Sequence, residues 1–150
     1  MYRYSFEIDP ERMASAIGRE LPISPKHAVE LCRVLRGRKF DDAKRYLQEI
    51  IDLKRAVPFK RYTKCVPHRK GHGFGPGRYP RKAAREILTV IETALNNAEY
   101  KGLNTDNMSI VHIAAHRGMT ILGRMPRARG RATPWNQETV NIEVVLLEEE

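Results

Sequence analysis

Four groups of residues have types and spacings that could do chemistry. His112 and His116 are the pair an RNA-cleaving enzyme would use as general acid and base. On a regular strand, residues four apart share a face but stand roughly 13 Å from each other, too far to serve one reacting phosphate directly. Two polar residues on an RNA-facing strand is the simpler reading. Cys65, His68 and His72 form a Cys-x2-His-x3-His arrangement that could supply three zinc ligands. A structural zinc site needs a fourth ligand and usually a second clustered pair, and neither is evident, so no metal or other cofactor is expected. Asp41 and Asp42 are sequence neighbours, which do not converge on a helix, so they are not read as metal or acid/base ligands. The fourth group is Arg127, Arg129 and Arg131, interleaved with Ala128, Gly130 and Ala132. An extended backbone would present these arginines on one side, roughly 7 Å apart. Their planar forks suit phosphate oxygens and stack on bases, and the small residues between them permit close approach to a crowded partner. Trp135 either stacks on a base or anchors the point where this segment rejoins the domain.

Charge points the same way. The chain of 150 residues has a formal net charge of +9 from 27 Lys and Arg against 18 Asp and Glu. The excess lies in two windows without a single acid. Between Leu53 and Arg85 stand eleven bases, among them Lys60, Arg61, Lys64, Arg69, Lys70, Arg78, Arg81 and Lys82. Between Asn107 and Gln137 stand Arg117, Arg124, Arg127, Arg129 and Arg131. The remainder of the chain is net acidic. Segregation of this kind is an electrostatic footprint for nucleic acid, whereas a merely soluble surface intersperses the signs. No apolar run is long enough to span a bilayer, and no secretory signal opens the chain, so a cytosolic setting without a membrane partner is expected. Two cysteines, Cys32 and Cys65, give no disulfide framework and fit a reducing compartment.

The elements that must position these groups follow from local pattern. One short strand is expected within Met1 to Ile23. Ser24-Pro25 starts a helix, the serine as cap and the proline at the first helical position; Ala28, Leu31, Cys32 and Leu35 share its apolar face, and Gly37 ends it in a left-handed turn. A second helix runs from about Phe40, with Asp41 and Asp42 at its positive end and Pro58 as its latest limit. From Val57 to Tyr79 the chain is an irregular basic loop in which Gly71, Gly73, Gly75 and Gly77 alternate without matching a phosphate-binding loop. Pro80 starts the main core helix of about twenty residues, closed at Lys101-Gly102. Then the period becomes two. Met108, Ile110, His112 and Ala114 fall on one face of a strand, with Val111, Ile113 and Ala115 on the other; a closing strand alternates Val140, Ile142, Val144 and Leu146 with Thr139, Asn141 and Glu143. If both limbs stay extended to a tip near Arg127 to Arg131, each approaches about 60 Å, far beyond an ordinary strand, and a lone two-stranded ribbon has little stability of its own.

Three segments carry a resemblance to a known family: Ser24-PKHAVELCRVLRGR-Lys39, Ala83-AREILTVIETALNNAEYKGL-Asn104 and Arg124-MPRARGRATPWN-Gln137. The sequence resembles the archaeal branch of the L-twenty-two family of large-subunit ribosomal proteins across nearly its whole length. The PRARGRA run at Pro126 to Ala132 is the most specific piece, and the insertion ending in GPGRYP resembles the archaeal and eukaryotic branch. Asn141 departs from the histidine of many bacterial relatives.

The resemblance implies an α+β fold, three helices packed on a small antiparallel sheet with a long protruding β-hairpin. It implies a single domain, with a globular part at about 1–111 and 138–150 and an arm at about 112–137. It further implies a structural, non-catalytic protein of the cytoplasmic ribosome whose partners are large-subunit rRNA and neighbouring large-subunit proteins. The tip, Met125, Pro126, Arg127, Ala128 and Arg129, would line the exit tunnel and meet the nascent peptide in passing. From the residues alone, two other readings stay open: a free, sequence-tolerant RNA chaperone, and the RNA-processing enzyme built on His112 and His116. Having few apolar residues, Arg117 to Trp135 is expected to be mobile until RNA orders it.

Overall fold

The computed structural model describes residues 4–71 and 73–149. Among them are three helices and a three-stranded antiparallel sheet, and the sheet sets the position of everything else. Its strands are β1 (Met13–Leu21), β4 (Met108–Ile121) and β7 (Gln137–Glu148), in the order β1-β7-β4. The expected N-terminal strand is therefore β1, and it pairs with the closing strand from Met13 opposite Leu147 to Leu21 opposite Val140. This pairing answers the instability of a lone ribbon, because β7 is held on both edges. It also explains why the alternation in β7 fails to sort buried from exposed. Val140, Ile142, Val144 and Leu146 are buried as expected, but so are Thr139, Glu143 and Val145 on the other face.

The three helices cover one face of the sheet. Helix α1 (Pro25–Leu35) has Pro25 at its first position and is followed by Gly37 at φ 76°, whose amide donates to the Ile110 carbonyl. Ser24 stands at the cap position, yet its hydroxyl makes no capping bond. Helix α2 (Phe40–Ile51) carries Asp41 and Asp42 in its first turn, where the helix dipole favours them, and buries Ala43, Tyr46, Leu47 and Ile50. Helix α3 (Arg81–Lys101) ends on Gly102 in the left-handed conformation. Its buried stripe includes Ala83, Ala84, Ile87, Val90, Ile91, Ala94 and Ala98, while Leu88 and Leu95 are only partly buried. Ala14, Leu31, Leu47, Ile87, Ile91, Ile110, Ile113 and Ile142 form the centre of one continuous core.

The loop between α2 and α3 has a minimal sheet of its own, in which β2 (Val57–Pro58) pairs with β3 (Gly77–Arg78). The arm leaves the body at the far end of β4 and β7. It closes through β5 (Arg124–Pro126) and β6 (Ala132–Pro134), a separate two-stranded sheet.

Strand β4 departs from simple alternation. Ile110 pairs with Leu146 and His112 with Val145, so Val111 is an extra residue, a bulge that rotates the rest of the strand. Ile113 then joins Met108 and Ile110 in the core, while His112, Ala114 and His116 face the opposite side.

Candidate nucleic-acid interface

Beyond the bulge the strand pairs regularly as far as Arg117, and His112, Ala114 and His116 share the face that carries Glu143. Ala114 pairs with Glu143, and His112 and His116 flank that pair diagonally. Because Ala114 is small, both imidazoles lean over it, and each places Nε2 3.0 Å from the same Glu143 carboxylate oxygen. Twice that distance bounds the separation of the two nitrogens, so the spacing expected from a straight strand does not hold for the side-chain ends. Ser5 completes the cluster through its amide and hydroxyl, and the Phe6 ring stacks on His112 at 5.1 Å. Burial raises the Glu143 pKa, but the bonds from Ser5, His116 and His112 outweigh it, and the carboxyl is held down at about 2. An ionised carboxylate only accepts, so each Nε2 carries the proton it donates. With both histidines committed to a buried acceptor, the cluster works as a clasp that fixes the N-terminal segment across the root of the arm.

A second clasp lies nearer the arm. Glu20, in the left-handed region at φ 51°, accepts from the Met119 amide at 2.9 Å and from the Thr139 hydroxyl, while its own amide donates to Asn141 Oδ1 at 2.7 Å. The Thr139 hydroxyl also reaches the Met119 carbonyl at 2.7 Å and, having one proton, donates to one acceptor at a time. Hydrogen bonding from Thr139 and Met119 holds the Glu20 carboxyl below its ordinary range. Gly118 is required here because a Cβ would stand 2.5 Å from Thr139 Oγ1 and 2.8 Å from Glu20 Oε2.

Beyond these clasps, up to Glu138, no described residue is buried, and Gly123 and Met125 are partly covered. Met119, Ile121, Leu122 and Trp135 are 67%, 53%, 80% and 63% exposed. Trp135 is thus not a buried anchor. Its amide donates to the Gly123 carbonyl at 2.7 Å, and the indole is left on the surface. Arg117, Arg124, Arg127, Arg129 and Arg131 are all exposed. Among the described residues, none of these five pairs with an acid. The tip arginines do not lie along an extended strand. Arg129 and Gly130 both take left-handed conformations, at φ 61° and 67°, and the Arg127 amide closes the reversal on the Arg131 carbonyl at 2.7 Å. Arg127 and Arg131 therefore face each other across a turn with Arg129 at its apex, because Gly130 makes the sharp reversal available. Met125 is partly buried, and Pro126 and Ala128 are exposed beside it.

The other basic window is ordered differently. Glu30 is wholly buried, a signal missed in the sequence because it stands among the apolar residues of α1. Its carboxylate accepts three backbone amides, from Lys60 at 3.2 Å, Arg61 at 2.7 Å and Tyr62 at 2.9 Å. The loop backbone is drawn inward, and the side chains of Lys60, Arg61 and Lys64 stay exposed. Three arginines in this region also have structural work. Arg69 donates to the Gly77 carbonyl and lies over Tyr79, Arg78 donates to the Cys65 carbonyl, and Arg81 donates to the Ile51 carbonyl at the end of α2. Each guanidinium has five N–H donors, so these bonds leave others for a partner. Lys70 and Lys82 are exposed. Cys65 and His68 are exposed, and His72 lies outside the described residues.

A match to the family of ribosomal protein L22p/L17e spans residues 16–147, from within β1 through the helices and the arm into β7. The chain belongs to that family. It is accordingly a structural protein of the ribosome and not an enzyme, and His112 and His116 are the clasp described above. Three archaeal relatives, each named large ribosomal subunit protein uL22, cover nearly the same length. The relative from Methanothrix thermoacetophila is 56% identical over 150 residues, 99% of each chain. That from Methanococcus aeolicus is 53% identical over 146 residues, 97% of this chain and 95% of its own. That from Methanopyrus kandleri is 56% identical over 144 residues, 95% and 91% respectively. Family membership therefore covers the body and the arm together.

Proposed function

We propose that this protein is a structural constituent of the large ribosomal subunit that binds large-subunit rRNA through both acid-free windows. The arm at about 112–137 carries its tip, Met125 to Arg129, to the wall of the nascent-peptide exit tunnel. Neighbouring large-subunit proteins meet the body. The observation that carries this reading is the arm itself, which has exposed apolar residues, arginines that pair with no acid among the described residues, and almost no interior. Such a segment gains its stability from a partner that is both anionic and enclosing, and folded RNA supplies phosphates for the guanidinium groups and base planes for Trp135 and the apolar side chains. The residues proposed to contact rRNA are Lys60, Arg61, Lys64, Arg69, Lys70 and Arg78 from the loop, Arg81 and Lys82 from the first turn of α3, and Arg117, Arg124, Arg127, Arg129 and Arg131 from the arm.

Sedimentation of tagged protein in a lysate gradient, before and after a high-salt wash, tests the assembly. Co-migration with large subunits in near-stoichiometric amount after the wash is expected. Protein that stays at the top of the gradient, or washes off completely, would point to a free RNA-binding protein. Isolated protein making about ten phosphate contacts should lose about 10³ to 10⁵ in rRNA affinity between 50 and 200 mM salt.

A further inference from the structure

A pocket of about 290 Å³ opens between the start of α1 and the loop at residues 59–66. His27, Phe59 and Tyr62 give it an aromatic wall, with the His27 and Phe59 rings edge to face at 5.6 Å. Lys26, Arg61, Lys64 and Arg78 surround it, and no acidic residue lines it. Most of this lining is set in advance. Glu30 fixes the backbone of Arg61 and Tyr62 through their amides, and the Cys65 carbonyl holds Arg78. The Arg61 guanidinium lies over the Tyr62 ring at 5.5 Å, a second flat cationic surface beside the aromatic one.

We propose that this pocket receives one unstacked nucleobase of the bound RNA, with the adjoining phosphate held by the surrounding cations. The inference rests on the rRNA-binding reading and gives it a specific contact. An aromatic wall ringed by cations matches the two parts of a nucleotide, a flat ring and an anion. A free anion would leave the aromatic wall unused. The volume falls at the lower limit of roughly 300–1,000 Å³ typical of small-molecule sites, which suits a single ring system. His27 is equipped to address the edge of that ring. Burial and the nearby charges of Arg78 and Lys26 lower its pKa, so near neutral pH it offers one donor and one acceptor. Wall positions set by Glu30 reduce the ordering that binding would otherwise require.

The test uses the full chain and a large-subunit rRNA fragment. Tyr62 packs against the core, so Tyr62→Leu, which keeps apolar bulk, replaces an alanine variant, and Tyr62→Phe serves as the conservative control. We expect Tyr62→Leu to lose about 5- to 100-fold in affinity with an unchanged salt slope, as loss of stacking would give, and Tyr62→Phe to bind like wild type. Lys64→Ala should instead make the salt slope shallower by about 1. Tyr62→Leu binding within twofold of wild type would overturn the pocket while leaving rRNA binding intact. If wild type itself fails to bind the fragment, the rRNA reading fails, and titration with adenosine 5′-monophosphate decides the pocket alone. Ring resonances of His27 and Tyr62 that move with the nucleotide but not with inorganic phosphate would support it. Equal shifts with both, or none, would overturn it.

Discussion

The two acid-free windows have similar chemistry and opposite mechanics. The window at 53–85 is tied to α1 by a buried carboxylate and braced by arginines that donate to its own carbonyls, so its cations project from a fixed backbone. The arm is fixed at its root by Glu20 and Glu143, and from Met119 to the tip its side chains, Met125 in part excepted, face solvent. The difference shows how one chain can offer RNA both a preformed surface and an adaptable one. The first limits the entropy lost on binding, and the second gains its order from the partner.

Removing the tie should erase the contrast, and it carries the largest expected effect. Glu30→Ala leaves three inward-facing amides without their acceptor and should cost about 3 kcal/mol in chemical denaturation. Hydrogen exchange at Lys60, Arg61 and Tyr62 should then approach that of the arm, and unchanged protection there would show that the loop is held by other means.

Acid should loosen the root while sparing the tip. The Glu143 carboxyl is lowered from 4.5 to about 2, so its contribution is fully present above pH 4.5 and is lost as pH falls through about 2. The stabilisation at stake is on the order of 3 kcal/mol. In acid unfolding, Glu143→Gln should flatten the loss of stability across that interval, and a wild-type slope would contradict the assignment.

Gly118→Ala puts a methyl into the Glu20–Thr139 clasp and should cost about 1–3 kcal/mol in thermal melts. The smallest stability effect belongs to the tip. Replacing Arg127, Arg129 and Arg131 by alanine should change stability by less than about 0.5 kcal/mol, yet make the salt slope of rRNA binding shallower by about 3 and weaken incorporation into subunits. Sharp, protected amide signals across Arg117 to Trp135 in free protein would undo the comparison itself.

What could be read beforehand was local. Proline at the head of α1, glycine after α1 and α3, and the 3.6-residue stripe of α2 act within a few residues of where they stand, and those boundaries emerged close to their expected places. The paired limbs followed from the change of period, and the α+β class from the family resemblance. What escaped depends on partners far along the chain. Glu143 looked like one polar residue in an alternating strand, and one of the partners that hold its carboxylate is Ser5, 138 residues away. The spacing argument for His112 and His116 was sound for the strand backbone, but side chains leaning over Ala114 towards one carboxylate bring the ring ends together. At the tip, Gly130 was visible as a small residue, but its turn placed the arginines around a reversal instead of along one edge. Two histidines four apart with an acid in the facing strand were the available signal for the clasp, had the pairing register been known.

The central position of β7 has a consequence for biogenesis. The strand that joins both halves of the sheet follows every other described element, and it pairs with β1, the first of them. During synthesis, β1 and β4 wait with open edges, a state that is slow to resolve and prone to misassociation. Completion of the sheet and erection of the arm therefore coincide, so an unfinished chain lacks the form that would compete for a place in the assembling particle.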